Sequence, residues 1–262
     1  MGTLTSVGSD QIAAWASNPY MIPAAIVAIA VGYIYYVYQV MIIVTQHKSM
    51  APAWMHSFFM ADDITAVFIF YMAATKYDFW FYWLFFVGMF IWVFFEIFCI
   101  KYSIDHELPD FIKGVSSKRE AWTVCIMVFL VSLCIINLIL AWAGDEVMLT
   151  TFTICNILAV TIPPLFNLRR AERGKYWLLF FFNNILIAFT NFLPANFGWW
   201  TTASSWFDHP WWYVSGVIMT VYTIWAFYIM YKKPYAKDGG VIPKEKRKAA
   251  RRGEKQQAGS QA

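Results

Sequence analysis

The sequence predicts an all-α, polytopic integral membrane protein with seven transmembrane helices, N-terminus outside and C-terminus inside, and three observations predict it. Of its residues 60% are hydrophobic and only 14% charged, whereas soluble domains run near 45–50% and about 25%. The apolar residues fall in runs long enough to cross a hydrocarbon core about 30 Å thick. Lys and Arg alternate from one connection to the next in the manner that sets membrane orientation.

Runs bounded by charge, Pro and Gly give seven spans: 21–45, 52–74, 79–101, 121–143, 147–168, 175–195 and 211–231. Pro23, Pro52 and Pro210 fall at or just before helix starts, where a missing N–H costs nothing. Pro163-Pro164 falls late in the fifth span and predicts a kink or an early end there. Residues 1–20 carry Asp10 but no Lys or Arg, so they lack the basic start of a signal peptide and read as an extracytoplasmic segment before the helical domain 21–231. The tail, 232–262, includes Lys244, Lys246, Arg247, Lys248, Arg251 and Arg252. It reads as basic, disordered and cytoplasmic, suited to anionic lipid and not to nucleic acid.

The orientation follows from the connections. Lys48 lies in the first, Lys101, Lys113, Lys118 and Arg119 in the third, and Arg169, Arg170, Arg173 and Lys175 in the fifth. The alternate set is poor in cations: Lys76 in the second, Gly144-Asp145-Glu146 in the fourth, and Asp208 without Lys or Arg in the sixth. Positive loops belong inside.

Ionisable groups at depth carry the functional signal, because a carboxylate at a bilayer centre costs about 2.5–3.5 kcal/mol on insertion scales. Asp62 and Asp63 lie about ten residues into the second span. Neighbouring positions diverge by roughly 100°, so the two carboxyls leave the helix in different directions. Held together in a low dielectric, at least one keeps its proton near neutrality and can act as a general acid, a relay or a cation site. His56 shares a face with Asp63. Glu96, about a turn and a half from Lys101, reads either as a snorkelling or ion-paired carboxylate or as a third acid.

Asn156, Asn183 and Asn184 fall near the depth of the two aspartates, within a wider set of amides that includes Gln39, Asn137 and Asn191. Such amides commonly tie helices together, but their shared depth suggests one polar cavity. Five tryptophans between Trp199 and Trp212 suit an interfacial belt or a lid over that cavity. The 24 Phe, 15 Tyr and 14 Trp could line a pocket for a flat or polycyclic lipid and stabilise a cation on their ring faces. Cys99, Cys125, Cys134 and Cys155 all sit in apolar runs without CxxC spacing and read as free thiols. The seventh span holds no Lys for a Schiff base, and no HExxH, HxxxH or Gly-rich phosphate loop occurs, so no metal or organic cofactor is expected.

Several of these features occur together in a known arrangement: a first helix ending at Lys48, a Ser49-Met50-Ala51-Pro52 link, an acidic second helix, Arg173-Gly174 before the sixth span and a Trp-rich loop before the last. In this the chain resembles the small seven-helix membrane-bound terpene cyclases of fungal meroterpenoid and indole-diterpene pathways. The resemblance implies that a second-helix carboxylate, here Asp62 or Asp63, protonates an epoxide or alkene. The family's Asn-x-x-Trp-Glu pattern is replaced by Phe59-Met60-Ala61-Asp62-Asp63-Ile64, and Thr220-Val221-Tyr222 stands where its last-helix acid would be. A fainter resemblance, to emopamil-binding sterol isomerases, rests on His209-Pro210-Trp211-Trp212 and would give Trp225 a role in the last helix; the paired glutamates of that family are missing here.

Three functions remain open on the sequence. The first is an enzyme on an isoprenoid or sterol-like lipid, with Asp62, Asp63 and Glu96 as catalytic acids and His56, Asn156, Asn183, Asn184 and Trp225 around a hydrophobic substrate. The second is a small-solute transporter with a midplane Asp and Asn site. The third is a non-catalytic subunit of a membrane complex. An enzyme needs an aromatic pocket open sideways to lipid, a transporter a polar path to water, and a subunit neither.

Overall fold

A computed structural model describes residues 7–108 and 115–242. Among these residues the chain is helical: α1 Val7–Ser17, α2 Met21–Gln46, α3 Ala53–Tyr77, α4 Trp80–His106, α5 Lys118–Ala143, α6 Leu149–Leu168, α7 Trp177–Asn191, the short α8 Trp199–Ala203, and α9 Pro210–Lys232. Six of them (α2 to α6 and α9) are long and apolar enough to cross a bilayer, which makes this a multi-pass membrane protein.

Local chemistry sets most of the boundaries. Ser117 and Glu120 form a reciprocal capping box at the start of α5, and Gly144, at φ 66°, closes its end. Pro210 opens α9 while the His209 ring accepts the Trp211 N–H. The sixth predicted span, 175–195, is shorter than expected. Tyr176 takes a left-handed φ of 69° before Trp177, and the helix closes at Asn191, three residues before Pro194, leaving 15 residues or about 22 Å. Pro163-Pro164 does not end α6 early. The helix runs on to Leu168, and Asn167 ties its last turn to the Met50 carbonyl at 2.6 Å.

α3 is the most enclosed span and packs along both α4 and α5, while α7 lies between α2 and α9. One end of the bundle is covered by α1 and α8, which pack against each other and against α2. Trp15 of α1 meets the rings of Phe79, Trp80 and Phe81, and the Tyr82 hydroxyl donates to Gln11 at 3.0 Å. At the opposite end the chain after α9 is ordered as far as Ile242, which corrects the expectation of disorder from residue 232 onward. Arg173 and Tyr235 form a bridge, and the Ile242 N–H donates to Thr45. Lys233 donates to the Leu168 and Arg170 carbonyls, satisfying groups at the end of α6 that have no helical partner. Gly174 permits this close fit, since a side chain there would run into Gln46. Residues 243–262, with the basic cluster, lie outside the described residues.

Candidate functional site

Five helices and the Trp-rich loop enclose a cavity of about 120 Å³, roughly ten times the space one ordered water requires. Each helix presents one face to it. α2 supplies Ala28, Ile29, Gly32, Tyr35 and Tyr36, α3 supplies Phe59, Asp62 and Asp63, and α6 supplies Phe152, Cys155, Asn156 and Ala159, all at the three- and four-residue spacing of a helical stripe. Phe85 and Trp92 of α4, Ile187 and Asn191 of α7, and Trp199 and Trp200 complete the wall.

Asp62 and Asp63 are both buried and both line this cavity. They diverge around α3 as expected, but the cavity is wide enough to meet both directions. Asp62 Oδ1 and Asp63 Oδ2 have no hydrogen-bond partner, nor have the Tyr35 hydroxyl and the indole N–H groups of Trp92 and Trp199. Five buried polar atoms without a partner, two on carboxyls and three possible donors, thus belong to residues that line one mostly aromatic space. An unpaired buried polar group costs about 1–3 kcal/mol, so this concentration is unfavourable unless something occupies the cavity. Thr151 and Cys155 lie beside Asp62.

A second buried polar network joins α2, α3 and α4, with Gln39 Oε1 as its one atom without a partner. Glu96 is fully buried, accepts from the Tyr36 hydroxyl at 2.6 Å and pairs with His56 Nδ1 at 2.5 Å. The Gln39 amide meets His56 Nε2 at 2.8 Å and reaches the Cys99 thiol at 3.6 Å. With the amide donating to Nε2, the His56 proton lies on Nδ1 and points at Glu96. Glu96 therefore neither snorkels nor pairs with Lys101, whose ammonium binds Asp105 at 2.6 Å. The reason is rotational: Glu96 faces α2 and α3, where Tyr36 and His56 satisfy both its oxygens.

The other expected site residues divide. Asn156 lines the cavity. Asn183 and Asn184 are buried but do not, the first donating to Val31 O across to α2 and the second to Phe180 O in its own helix. His56 reaches the site only through Glu96. Trp225 is half-exposed on the outer surface of α9 against Tyr222, away from the cavity. Sequence reasoning left out Tyr35 and Tyr36, and named Asn191 among the deep amides without placing it at the site. The stripe Ala28, Gly32, Tyr35, Gln39, small and polar residues on one face of an otherwise apolar helix, was the legible signal for Tyr35. Asn191 pins the roof, accepting the Trp200 indole N–H at 2.8 Å. Trp199 and Trp200 stack at 5.0 Å and are buried over the cavity, while Trp206 and Trp211 of the same stretch are exposed.

Among the described residues, no group of three or more His, Cys, Asp or Glu is placed to hold a metal ion. Free thiols are found at all four cysteines, with Cys134 exposed on the outer surface. None of the protein-family models, curated proteins or solved structures compared with this chain matches it. Fold and site together define a multi-pass membrane protein with an aromatic cavity floored by carboxyl groups.

Proposed function

We propose that the protein is a membrane enzyme that acts on an isoprenoid or sterol-like lipid by acid-initiated cyclisation or isomerisation, as the terpene cyclase resemblance implies. The observation that carries this reading is the set of unpaired atoms on Asp62, Asp63, Tyr35, Trp92 and Trp199 in one aromatic cavity. In this reading one of the two adjacent buried carboxyls carries a proton. Asp63 donates that proton to an alkene or epoxide of the substrate. The alkene π pair takes the proton, or an epoxide oxygen takes it on a lone pair while its C–O bond breaks with the bonding pair going to oxygen, and the positive charge that develops on carbon faces the rings of Tyr36, Phe85, Trp92 and Phe152. Loss of a proton from the neighbouring carbon to Asp62 restores a double bond. Transfer from Asp62 back to Asp63 resets the site, so the product is an isomer of the substrate and no oxidant or reductant is needed. Glu96 and His56 hold Asp63's surroundings fixed and do not touch the lipid.

The mostly apolar wall and the closed tryptophan roof favour this reading over transport of a polar solute. In the same proposal α7, at about 22 Å, makes the seventh crossing with help from the apolar Phe192-Leu193 that follows it, and the cation-rich connections lie in the cytoplasm, giving N-out and C-in.

The test is Asp62→Asn and Asp63→Asn, each expressed at measured abundance, with lipid extracts of the host membrane profiled by mass spectrometry. Loss of an isoprenoid product by about 100-fold or more, with its isomeric precursor accumulating at unchanged protein level, is expected for Asp63→Asn. An unchanged lipid profile with both variants stably inserted would reject acid catalysis.

A further inference from the structure

A second hollow, of about 190 Å³, opens on the outer surface of the bundle and is formed wholly by α2 and α4. Leu84, Val87 and Ile91 on its rim are about half exposed, at 52%, 50% and 46%. In a bilayer that face meets lipid chains. The hollow and the inner cavity have Ile29, Phe85 and Trp92 in common, so these three side chains belong to the walls of both. Trp92 stands between the two: its ring meets Tyr33, which belongs to the outer hollow, at 5.3 Å, and stacks on Tyr36, which belongs to the cavity, also at 5.3 Å.

The helices flanking this wall are loosely joined. α4 packs along α3 for most of its length but meets α2 at only a few points. Both carry a glycine at the seam. A Cβ on Gly32 would meet nothing within 4 Å, and one on Gly88 would reach the Tyr33 hydroxyl at 3.1 Å. At the roof, by contrast, buried tryptophans tied down through Asn191 leave no comparable weakness.

We infer that the seam between α2 and α4 is a lateral portal, with Trp92 as its leaf, and that the outer hollow holds the apolar chain of a lipid whose polar end occupies the cavity at Asp62 and Asp63. This rests on the cavity being a ligand site, and it narrows the ligand to an amphiphile that arrives from the hydrocarbon layer. Three features select that occupant: the outer hollow is apolar and faces lipid, four of the five residues with unpaired polar atoms (Tyr35, Asp62, Asp63 and Trp199) line the inner space alone, and Ile29, Phe85 and Trp92 line both spaces.

The experiment uses the full chain in phosphatidylcholine vesicles with two photoactivatable geranylgeraniol probes, one carrying its diazirine beside the hydroxyl and the other on the terminal isoprene unit. Adducts are mapped by mass spectrometry. The head-labelled probe is expected on the Phe59–Asp63 segment and the tail-labelled probe on Leu84–Ile91. Val87→Trp, on the half-exposed rim of the outer hollow and outside the cavity wall, is expected to lower head and tail adducts alike by about tenfold; Val217→Trp on the exposed face of α9 is expected to change neither. Head adducts that survive Val87→Trp, with no tail adducts on α4, would overturn the portal and leave the cavity as a ligand site. Absence of both adducts in the unaltered protein would overturn the cavity reading and the portal with it.

Discussion

α3 and α5 are 25 and 26 residues long and pack against each other, yet they meet the membrane in opposite ways. In α3, 50% of the most apolar stretch is buried within the protein, against 22% in α5. α3 carries His56, Asp62 and Asp63, all enclosed. α5 confines its charged side chains, Lys118, Arg119 and Glu120, to its first turn, and turns Met127, Leu130, Val131 and Leu138 outward. A helix whose outer face touches lipid needs no partner for that face, because lipid chains are as apolar as leucine. A helix with ionisable groups at depth must be surrounded, since protein alone can supply partners there. The less apolar helix is therefore central, and the cavity forms beside it.

Breaking the pair behind the cavity should give the largest effect on stability. Glu96→Leu leaves His56 and the Tyr36 hydroxyl buried without their acceptor, and thermal unfolding in detergent micelles should show a loss of about 3–5 kcal/mol. Adding His56→Leu should recover much of that loss, because two apolar groups replace a desolvated pair. Equal losses in the single and double variants would mean that the pair is not coupled. Packing sharpens the contrast on a smaller scale. Ala61 is fully buried in α3, and Ala61→Leu should cost about 1–3 kcal/mol by overpacking, while Leu138→Ala on the lipid face of α5 should stay within about 0.5 kcal/mol.

The smallest effect concerns the connection that joins the two helices to their surroundings. Glu146, in the turn after α5, accepts from Lys76 at 2.8 Å and from Tyr77 at 2.6 Å, both at the end of α3. The Lys76 bond first, and the Tyr77 bond second, hold the Glu146 carboxyl below its usual range. A depressed folded-state value means that this contribution is present above the unfolded value, near 4.3, and is lost as the pH falls through the lower folded one. Both side chains are exposed, so water screens the pair. Glu146→Gln should flatten the acid side of the thermal-midpoint profile slightly and leave the neutral side unchanged; a large drop at neutral pH would show that the turn matters for another reason.

Helix positions were legible to within a few residues wherever a span is long and bounded by Pro, Gly or charge, as with α3, α5 and α9. The shortened α7 was not, because its ends depend on the left-handed Tyr176 and on the docking of Gly174 against Gln46, a contact between distant segments. The order in 233–242 was missed for the same reason: its backbone partners, Arg173, Lys175 and Thr45, belong to other parts of the chain. At the site, Asp62, Asp63 and Asn156 could be named because polar groups at depth are conspicuous in an apolar sequence. Asn183 and Asn184 were equally conspicuous but rotate toward α2 and their own backbone, and Trp225 matched a pattern while pointing outward.

The sequence by itself determined that this chain crosses a membrane as several helices and carries carboxyl groups at depth, because hydrophobic length and charge placement act along the chain, one segment at a time. Only the tertiary structure decided which of those groups meet. Whether a side chain ends in a paired network, as Glu96 does with His56 and Tyr36, or open to a cavity, as Asp62 and Asp63 do, depends on the rotation of each helix against its neighbours. That rotation is set by packing among segments far apart in the chain, which no single stretch of sequence contains.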